Sequence, residues 1–264
     1  GNKVMPYKTA NYRSLEFRIY DNGKIYLSGS LHKYWNSGAH NFNDFDYNSF
    51  LFVLTDLNTK FGLVIENCIL KCLEVGINIK PPISTNHFLD YCFLHKTSPF
   101  EYIKNSNEGK YKQVQHSQYV VKIYNKALHY SKEYPRIEGE IMRFEIKYIK
   151  MQKLNNKGIF NLNELKNYGL NNFKNDLIIE FKNILFFDTT ITSKSNSLTN
   201  YKNPLFWTGL LSEKKNDLFK YHKTHLNEIT LKTSQNIQQK TIEIISLKIE
   251  LLTKNTTRIY QFSE

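Results

Sequence analysis

The chain has 264 residues, 41% of them hydrophobic, and a formal net charge of +12. This length and apolar content suffice for one large domain, or for one domain with a smaller appendage. The 36 Lys and Arg against 24 Asp and Glu favour a polyanionic partner, because each neutralised phosphate releases counterions. The sequence lacks a run of about 18 apolar residues, which argues against a membrane span.

Aromatic residues are spread among the basic ones, with 18 Tyr and 18 Phe in the chain. Such surfaces suit unpaired bases, which stack on rings while lysines hold the backbone. The alternative is codon bias in an AT-rich genome, which also enriches Lys, Tyr and Phe. Cys68, Cys72 and Cys92 form no CxxC pair and are expected to be reduced, buried thiols. Together with the lack of a recognisable signal peptide, they predict a cytoplasmic location in a bacterial host.

The first half of the chain has the pattern of a sheet. Apolar and polar residues alternate from residue 14, and Asp21-Asn22-Gly23 supplies a turn, which predicts a β-hairpin over 14–31. Asp46 caps a helical pattern over 46–60, and a short helix over 84–96 and a polar turn over 104–110 are predicted farther on. We expect one sheet whose strands are residues 14–20, 24–31, 72–79, 119–124 and 141–149.

The pattern becomes helical from about residue 161. Helices are predicted over 205–231 and 235–252, and a helix or mixed segment over 173–187. The fold class is therefore expected to be α+β. Its core, residues 12–155, is an antiparallel sheet with flanking helices, and residues 156–264 form a mainly helical region that is a candidate for DNA binding.

Two histidines follow the predicted hairpin. His32 and His40 lie in a stretch rich in Gly and Asn, where functional loops are common. Imidazole is a good ligand for Mn²⁺ and a plausible acid–base group. The alternative is structural: His32 packs beside Trp35 and His40 caps a turn.

Two glutamates interrupt otherwise apolar strands. Glu74 lies between Leu73 and Val75, and Glu145 lies between aromatic and β-branched neighbours. A buried carboxylate costs free energy unless it is paired or bound to a metal. Two such strands in one sheet would create an oxygen-rich site for Mg²⁺ or Mn²⁺. Alternatively, each carboxylate faces solvent.

Tyr124 ends a strongly β-prone run and is flanked by Lys122 and Lys126. A phenol is a weak nucleophile at its ordinary pKa of about 10. We expect the two lysines to favour the phenolate and to hold the phosphate that it attacks. The alternative is that Tyr124 is one of 18 tyrosines and merely ends a strand.

Four segments, taken in order, resemble the phage and plasmid rolling-circle replication initiators typified by the filamentous-phage gene II protein. The resemblance covers roughly residues 20–160. It is carried by residues 21–32 with His40, Leu73-Glu74-Val75-Gly76-Ile77-Asn78-Ile79, Lys122-Ile123-Tyr124-Asn125-Lys126 and Met142-Arg143-Phe144-Glu145-Ile146-Lys147.

This resemblance implies a HUH-like endonuclease core that uses a divalent metal. Tyr124 would be the nucleophile that nicks one strand of origin DNA, becomes covalently attached and later rejoins it. Lys122 and Lys126 would assist it, and Glu74, Glu145, His32 and His40 would be the candidate ligands of Mg²⁺ or Mn²⁺. The DNA would be single-stranded or supercoiled, and a host helicase and polymerase would be further partners.

Three other functions stay open at this point. A mobilisation relaxase uses the same chemistry for another biological end. A non-catalytic DNA- or RNA-binding protein would use Tyr124 to stack on a base, and would tolerate Phe there. A phosphodiesterase with metal-activated water would form no covalent adduct.

Overall fold

The computed structural model describes residues 6–106, 109–135, 137 and 139–254. The described residues divide into two compact units, 6–68 with 252–254 and 69–251. The predicted boundary between residues 155 and 156 falls inside the second unit. The physical reason is that Ile184, well beyond that boundary, pairs with His95 in a small sheet.

The first unit contains a three-stranded antiparallel sheet and two helices. The strands are β1 (Tyr7–Tyr12), β2 (Leu15–Tyr20) and β3 (Ile25–Gly29), and the helices are α1 (Leu31–Trp35) and α2 (Tyr47–Phe61). The predicted hairpin and the predicted helix over 46–60 are confirmed within one or two residues. Asp46 caps α2 by accepting from the Ser49 backbone N–H at 2.7 Å, and Gly62 ends it in the left-handed conformation.

The second unit is built on a five-stranded antiparallel sheet with the order β4-β10-β9-β8-β7. Its strands are β4 (Leu73–Ile79), β7 (Glu101–Ser106), β8 (Gly109–Gln115), β9 (Tyr119–Asn125) and β10 (Met142–Tyr148). The three predicted strands over 72–79, 119–124 and 141–149 are therefore confirmed as neighbours. Strands occupy most of 104–110, where a polar turn was predicted, and residues 107 and 108 lie outside the described part.

The prediction of one sheet for all five strands is wrong. The hairpin of β2 and β3 belongs to the sheet of the first unit, because β1 pairs with β2 along its whole length. With β1 on one side and β3 on the other, β2 has no free edge to offer another strand. The sequence pattern missed β1, whose exposed residues carry little apolar alternation.

Short elements and helices complete the second unit. A third small sheet has the order β11-β5-β6. Its strands are β5 (Cys92–His95), β6 (Ser98–Pro99) and β11 (Ile184–Phe186), and the helices are α3 (Thr85–Asp90), α4 (Lys126–Tyr130), α5 (Gln152–Asn155), α6 (Leu162–Tyr168), α7 (Lys174–Lys182), α8 (Ser197–Tyr201), α9 (Pro204–Ser212), α10 (Asn216–Thr233) and α11 (Ile237–Thr253).

Several predictions for these segments need correction. The helix predicted over 205–231 is two helices, α9 and α10, because the chain turns at Lys214, which has a positive φ of 57°. The helix predicted over 84–96 ends at Asp90 and becomes β5. Of the three cysteines, Cys92 is buried, whereas Cys68 is half-buried and Cys72 is exposed. None of the helices in the described ranges is long and apolar enough to cross a membrane.

The carboxylate of Asp188 joins the loop after β11 to the start of α11. One oxygen accepts from the Thr190 backbone N–H at 2.9 Å, and the other accepts from the Ile237 N–H at 2.8 Å and the Ser234 hydroxyl at 3.0 Å. The side chain is fully buried, so no water can replace these bonds.

We predict that Asp188→Ala lowers the free energy of unfolding by about 2–3 kcal/mol, because several buried donors lose a charged acceptor. Urea denaturation followed by circular dichroism measures the change. Asp217→Ala is the matched control, since its side chain is fully exposed at the start of α10 and should change stability little. Equal stability of both variants would contradict this role for Asp188.

Candidate functional site

The two faces of the five-stranded sheet differ in character. Val121, Ile123, Phe144 and Ile146 are buried on one face and belong to the core. Because strand side chains alternate, the residues between them point to the other face. That polar face carries Glu74, Asn78, Tyr111, Gln113, Lys122, Tyr124, Arg143 and Glu145, according to the register of β4, β10, β9 and β8.

The two predicted strand glutamates share one cation on the polar face. The Nζ atom of Lys122 lies 2.5 Å from Oε2 of Glu74 and 3.1 Å from Oε1 of Glu145. Lys122 and Glu145 are direct partners across β9 and β10, and Glu74 lies on β4 on the other side of β10. The sheet therefore brings both carboxylates to one point, as the sequence predicted.

Arg143 completes the arrangement around Glu145. Its Nε donates to Oε2 of Glu145, and its Nη1 donates to Oδ1 of Asn78 at 3.1 Å. The Glu145 carboxylate is thus held by a different cation at each oxygen while only 2% of the residue is exposed. A buried carboxylate needs such partners, because an unpaired charge in the interior is strongly unfavourable.

Gly76 makes room for this ion pair. It faces Glu145 across β4 and β10. A Cβ atom at Gly76 would lie 2.5 Å from the Cβ of Glu145 and 2.9 Å from Nη2 of Arg143. Any other residue at this position would therefore push the charged side chains away from the sheet.

Tyr124 lies directly opposite Arg143 in the β9–β10 register. Its hydroxyl accepts from Nζ of Lys126 at 3.2 Å, and its ring contacts that of Tyr111 at a centroid distance of 5.1 Å. Lys126 does not continue the strand as expected, because α4 begins there and Asn125 caps it by accepting from the Leu128 N–H. The side chain of the buried Lys126 nevertheless reaches Tyr124.

The expectation that flanking lysines lower the pKa of Tyr124 is wrong. Burial raises the pKa of the Tyr124 phenol well above its usual value, and the negative charge of Glu145 raises it further, against an opposing effect of Arg143. The phenol is therefore protonated at neutral pH. Its use as a nucleophile requires that the proton be removed when a substrate phosphate arrives.

Lys122, Arg143 and Glu145 on the polar face remain ionised. Burial alone would lower the pKa of Lys122, but Glu145 and Glu74 outweigh it, so this pKa is raised. Burial alone would raise the pKa of Glu145, but Arg143 and Lys122 hold it below its usual value. At neutral pH the Glu145 carboxylate thus lies between two cations, Lys122 and Arg143.

His32 and His40 belong to the first compact unit, whereas the residues just described belong to the second. His32 belongs to α1 rather than to a loop, and its Nε2 lies 2.7 Å from Oδ1 of Asn43. Its ring stacks on Phe45, and that of His40 stacks on Phe42 at a centroid distance of 3.9 Å.

Within the part of the chain that the structure describes, no three His, Cys, Asp or Glu side chains are grouped as a metal site. The polar face offers two carboxylates, Glu74 and Glu145. Mg²⁺ is commonly held by one or two carboxylates together with water and substrate phosphate oxygens, so this pair is compatible with such an ion. The polar face thus brings a phenol, two cations and two carboxylates together.

Sequence reasoning missed the roles of Arg143, Asn78 and Gly76. Arg143 alternates with Glu145 on β10, so their shared face was available from the strand pattern. The need for glycine at position 76 was not available from that pattern, because it arises from side chains on a neighbouring strand.

The chain matches no protein-family model, no curated protein and no solved structure.

We predict that Gly76→Ala destabilises the protein by about 1–3 kcal/mol, because the added methyl group overlaps the ion pair of Arg143 and Glu145. Thermal and urea unfolding measure the loss. Gly209→Ala is the control: nothing lies within 4 Å of its added Cβ in α9, and the helix should gain about 0.5–1 kcal/mol. A neutral Gly76→Ala would show that the space above Gly76 is not needed.

Proposed function

We propose that this protein is a DNA nicking and joining endonuclease that acts as a rolling-circle replication initiator, with Tyr124 as its nucleophile. One observation carries the proposal: Tyr124, two cations and two carboxylates share one face of an antiparallel sheet. We assign this sheet to a HUH-like core on the resemblance of its strand segments. The DNA substrate, single-stranded or supercoiled origin DNA, is the polyanion that the net charge of +12 favours.

The chemistry follows from the groups around Tyr124. Its oxygen forms a bond to phosphorus while the bond from phosphorus to the 3′ oxygen breaks. The tyrosine proton leaves to solvent and the 3′ oxygen takes one up, so that a 5′-phosphotyrosine and a free 3′-OH result. Lys126, 3.2 Å from the phenol oxygen, would hold the phosphate that Tyr124 attacks, and Arg143 on the facing strand favours the phenolate electrostatically. Joining is the reverse reaction.

The carboxylates of Glu74 and Glu145 would hold the Mg²⁺ or Mn²⁺ ion in this proposal. Both lie within 3.1 Å of the Lys122 ammonium, which takes a position between them that suits a cation. If the metal ion took this position, the Lys122 side chain would move away from the carboxylates and contact the phosphate. When bound, such an ion polarises a phosphoryl oxygen and so assists attack at phosphorus. Roles for His32 and His40 as further ligands stay predictions.

The second candidate is a non-catalytic nucleic-acid-binding protein, favoured by the contact between the Tyr124 and Tyr111 rings. In that function the two rings offer a stacking surface for a base, and the high pKa of the phenol has no consequence. A mobilisation relaxase would share the nicking chemistry. As part of the replication proposal, a host helicase and polymerase would be partners of this protein. Residues 156–264 would contribute to DNA binding.

We predict that Tyr124→Phe abolishes both the nick and the covalent adduct, because it removes the one oxygen that attacks phosphorus. The assay incubates protein with Mn²⁺ and single-stranded origin DNA and resolves adducts on a denaturing gel. DNA affinity should stay within about twofold, since the ring is kept. Tyr119→Phe is the control. Its hydroxyl is on the other face, bonded to Lys96 and Glu180, and it should leave the adduct intact.

Peptide mapping of the trapped adduct identifies the attached residue. Recovery of the nucleotide on Tyr130 or Tyr134 would overturn the assignment of Tyr124. A normal nick by Tyr124→Phe would favour metal-activated water instead. Binding of DNA with no cleavage by the wild type under any metal condition would favour the non-catalytic function.

We predict that excess EDTA stops cleavage and that Glu74→Gln lowers the cleavage rate at least tenfold, about 1.4 kcal/mol of activation free energy. DNA affinity should change much less, because Lys and Arg carry most phosphate contacts. Glu101→Gln, an exposed glutamate on the edge strand β7, is the matched control and should cleave normally. Full cleavage in EDTA would remove the metal from the mechanism.

A further inference from the structure

The outer face of the β1–β3 sheet in the first unit has no role in the chemistry proposed above. The inner face carries Leu15, Phe17 and Leu27, which pack with Tyr34 of α1 and Val53 of α2 in a core cluster. By strand alternation, the residues between them form the outer face. That face is mainly aromatic, basic and polar.

Three tyrosine rings form a continuous row across this outer face, one from each strand. Tyr7 on β1 is the register partner of Tyr20 on β2, and their ring centroids are 5.3 Å apart. Tyr26 on β3 continues the row at 5.6 Å from Tyr20. Tyr7 and Tyr26 are 42% and 38% exposed, so part of each ring is open to a ligand. We call these three residues the tyrosine row.

Two cations lie beside the tyrosine row. The guanidinium of Arg18 is 5.7 Å from the Tyr7 ring, and the Nζ atom of Lys24 is 4.9 Å from the Tyr26 ring. Arg18 is also paired with Glu16. The tyrosine row thus has a positive charge beside the ring at each of its ends.

We propose that the tyrosine row is a binding surface for single-stranded DNA, on which about two or three bases stack while Arg18 and Lys24 contact their phosphates. An exposed sheet with aromatic rings on adjacent strands suits unpaired bases, because each base has a free face only when its strand is single. A duplex exposes charge but few base faces. The charge complementarity with a polyanion and the exposed rings together select this partner.

This inference rests on the proposed function for its choice of DNA over RNA. It adds to that function a site at which the single strand is held. The first unit would hold unpaired DNA by stacking, whereas the polar face of the second unit carries the chemistry. The two activities then depend on different residues and can be separated by mutation.

The experiment measures fluorescence anisotropy of a labelled single-stranded oligothymidylate and of a matched duplex with the full chain. We expect Tyr20→Ala to raise the single-strand Kd about tenfold and the Tyr7→Ala, Tyr20→Ala, Tyr26→Ala triple variant to raise it about a hundredfold or more. Tyr20→Phe keeps the ring and should stay within about twofold. Tyr102→Ala, a 38% exposed tyrosine on β7, is the control and should bind like the wild type. Circular dichroism melting checks that each variant is folded.

The outcomes separate this inference from the proposed nicking activity. With saturating DNA, Tyr20→Ala should form as much adduct as the wild type, but at higher DNA concentration. Unchanged single-strand affinity in the folded triple variant would overturn the tyrosine row, even if the adduct forms. An equal loss for duplex and single strand would overturn the stacking role. If the triple variant loses single-strand binding and the wild-type protein forms no adduct, the tyrosine row is supported and the nicking function is refuted.

Discussion

The buried carboxylate of Glu145 is the group around which the second unit is arranged. Lys122 from β9 and Arg143 from β10 each bind one of its oxygens, and Gly76 of β4 leaves the space that they occupy. An ion pair of this kind adds little net stability, but removal of one partner leaves a buried charge and costs about 3–5 kcal/mol. The neighbouring strands β4, β10 and β9 must therefore meet in one register.

The register of β9 and β10 brings the residues of the candidate site together. Glu145 faces Lys122, and two residues earlier Arg143 faces Tyr124. A shift by one residue would turn all these side chains into the core and expose Phe144 and Ile146. The apolar face of the sheet thus selects the register, and the ion pair on the polar face is specific to it. A nucleophile benefits from such a setting, because its position is set by a rigid backbone.

Both compact units use a sheet with one apolar and one polar face, but the polar faces differ. In the first unit the outer face is exposed and aromatic, which suits contact with a large partner. In the second unit Glu145 and Lys126 are each only 2% exposed, and burial strengthens every electrostatic interaction among them. The high pKa of Tyr124 follows from the same burial, so a nucleophilic role for this phenol would require that its proton be removed.

The sequence by itself determined the strands β4, β9 and β10, the hairpin of β2 and β3, and the helix α2. Each has strong periodicity or a clear cap, and these signals depend on neighbours in the chain. Alternation also placed Lys122 with Tyr124 on one strand face. Only the tertiary structure decided that the hairpin forms a separate sheet, that Lys122 bridges Glu74 and Glu145, and that burial raises rather than lowers the pKa of Tyr124. These properties depend on the exclusion of water and on contacts between residues far apart in sequence, such as Gly76 with Glu145. No local sequence pattern encodes such contacts or the exclusion of water.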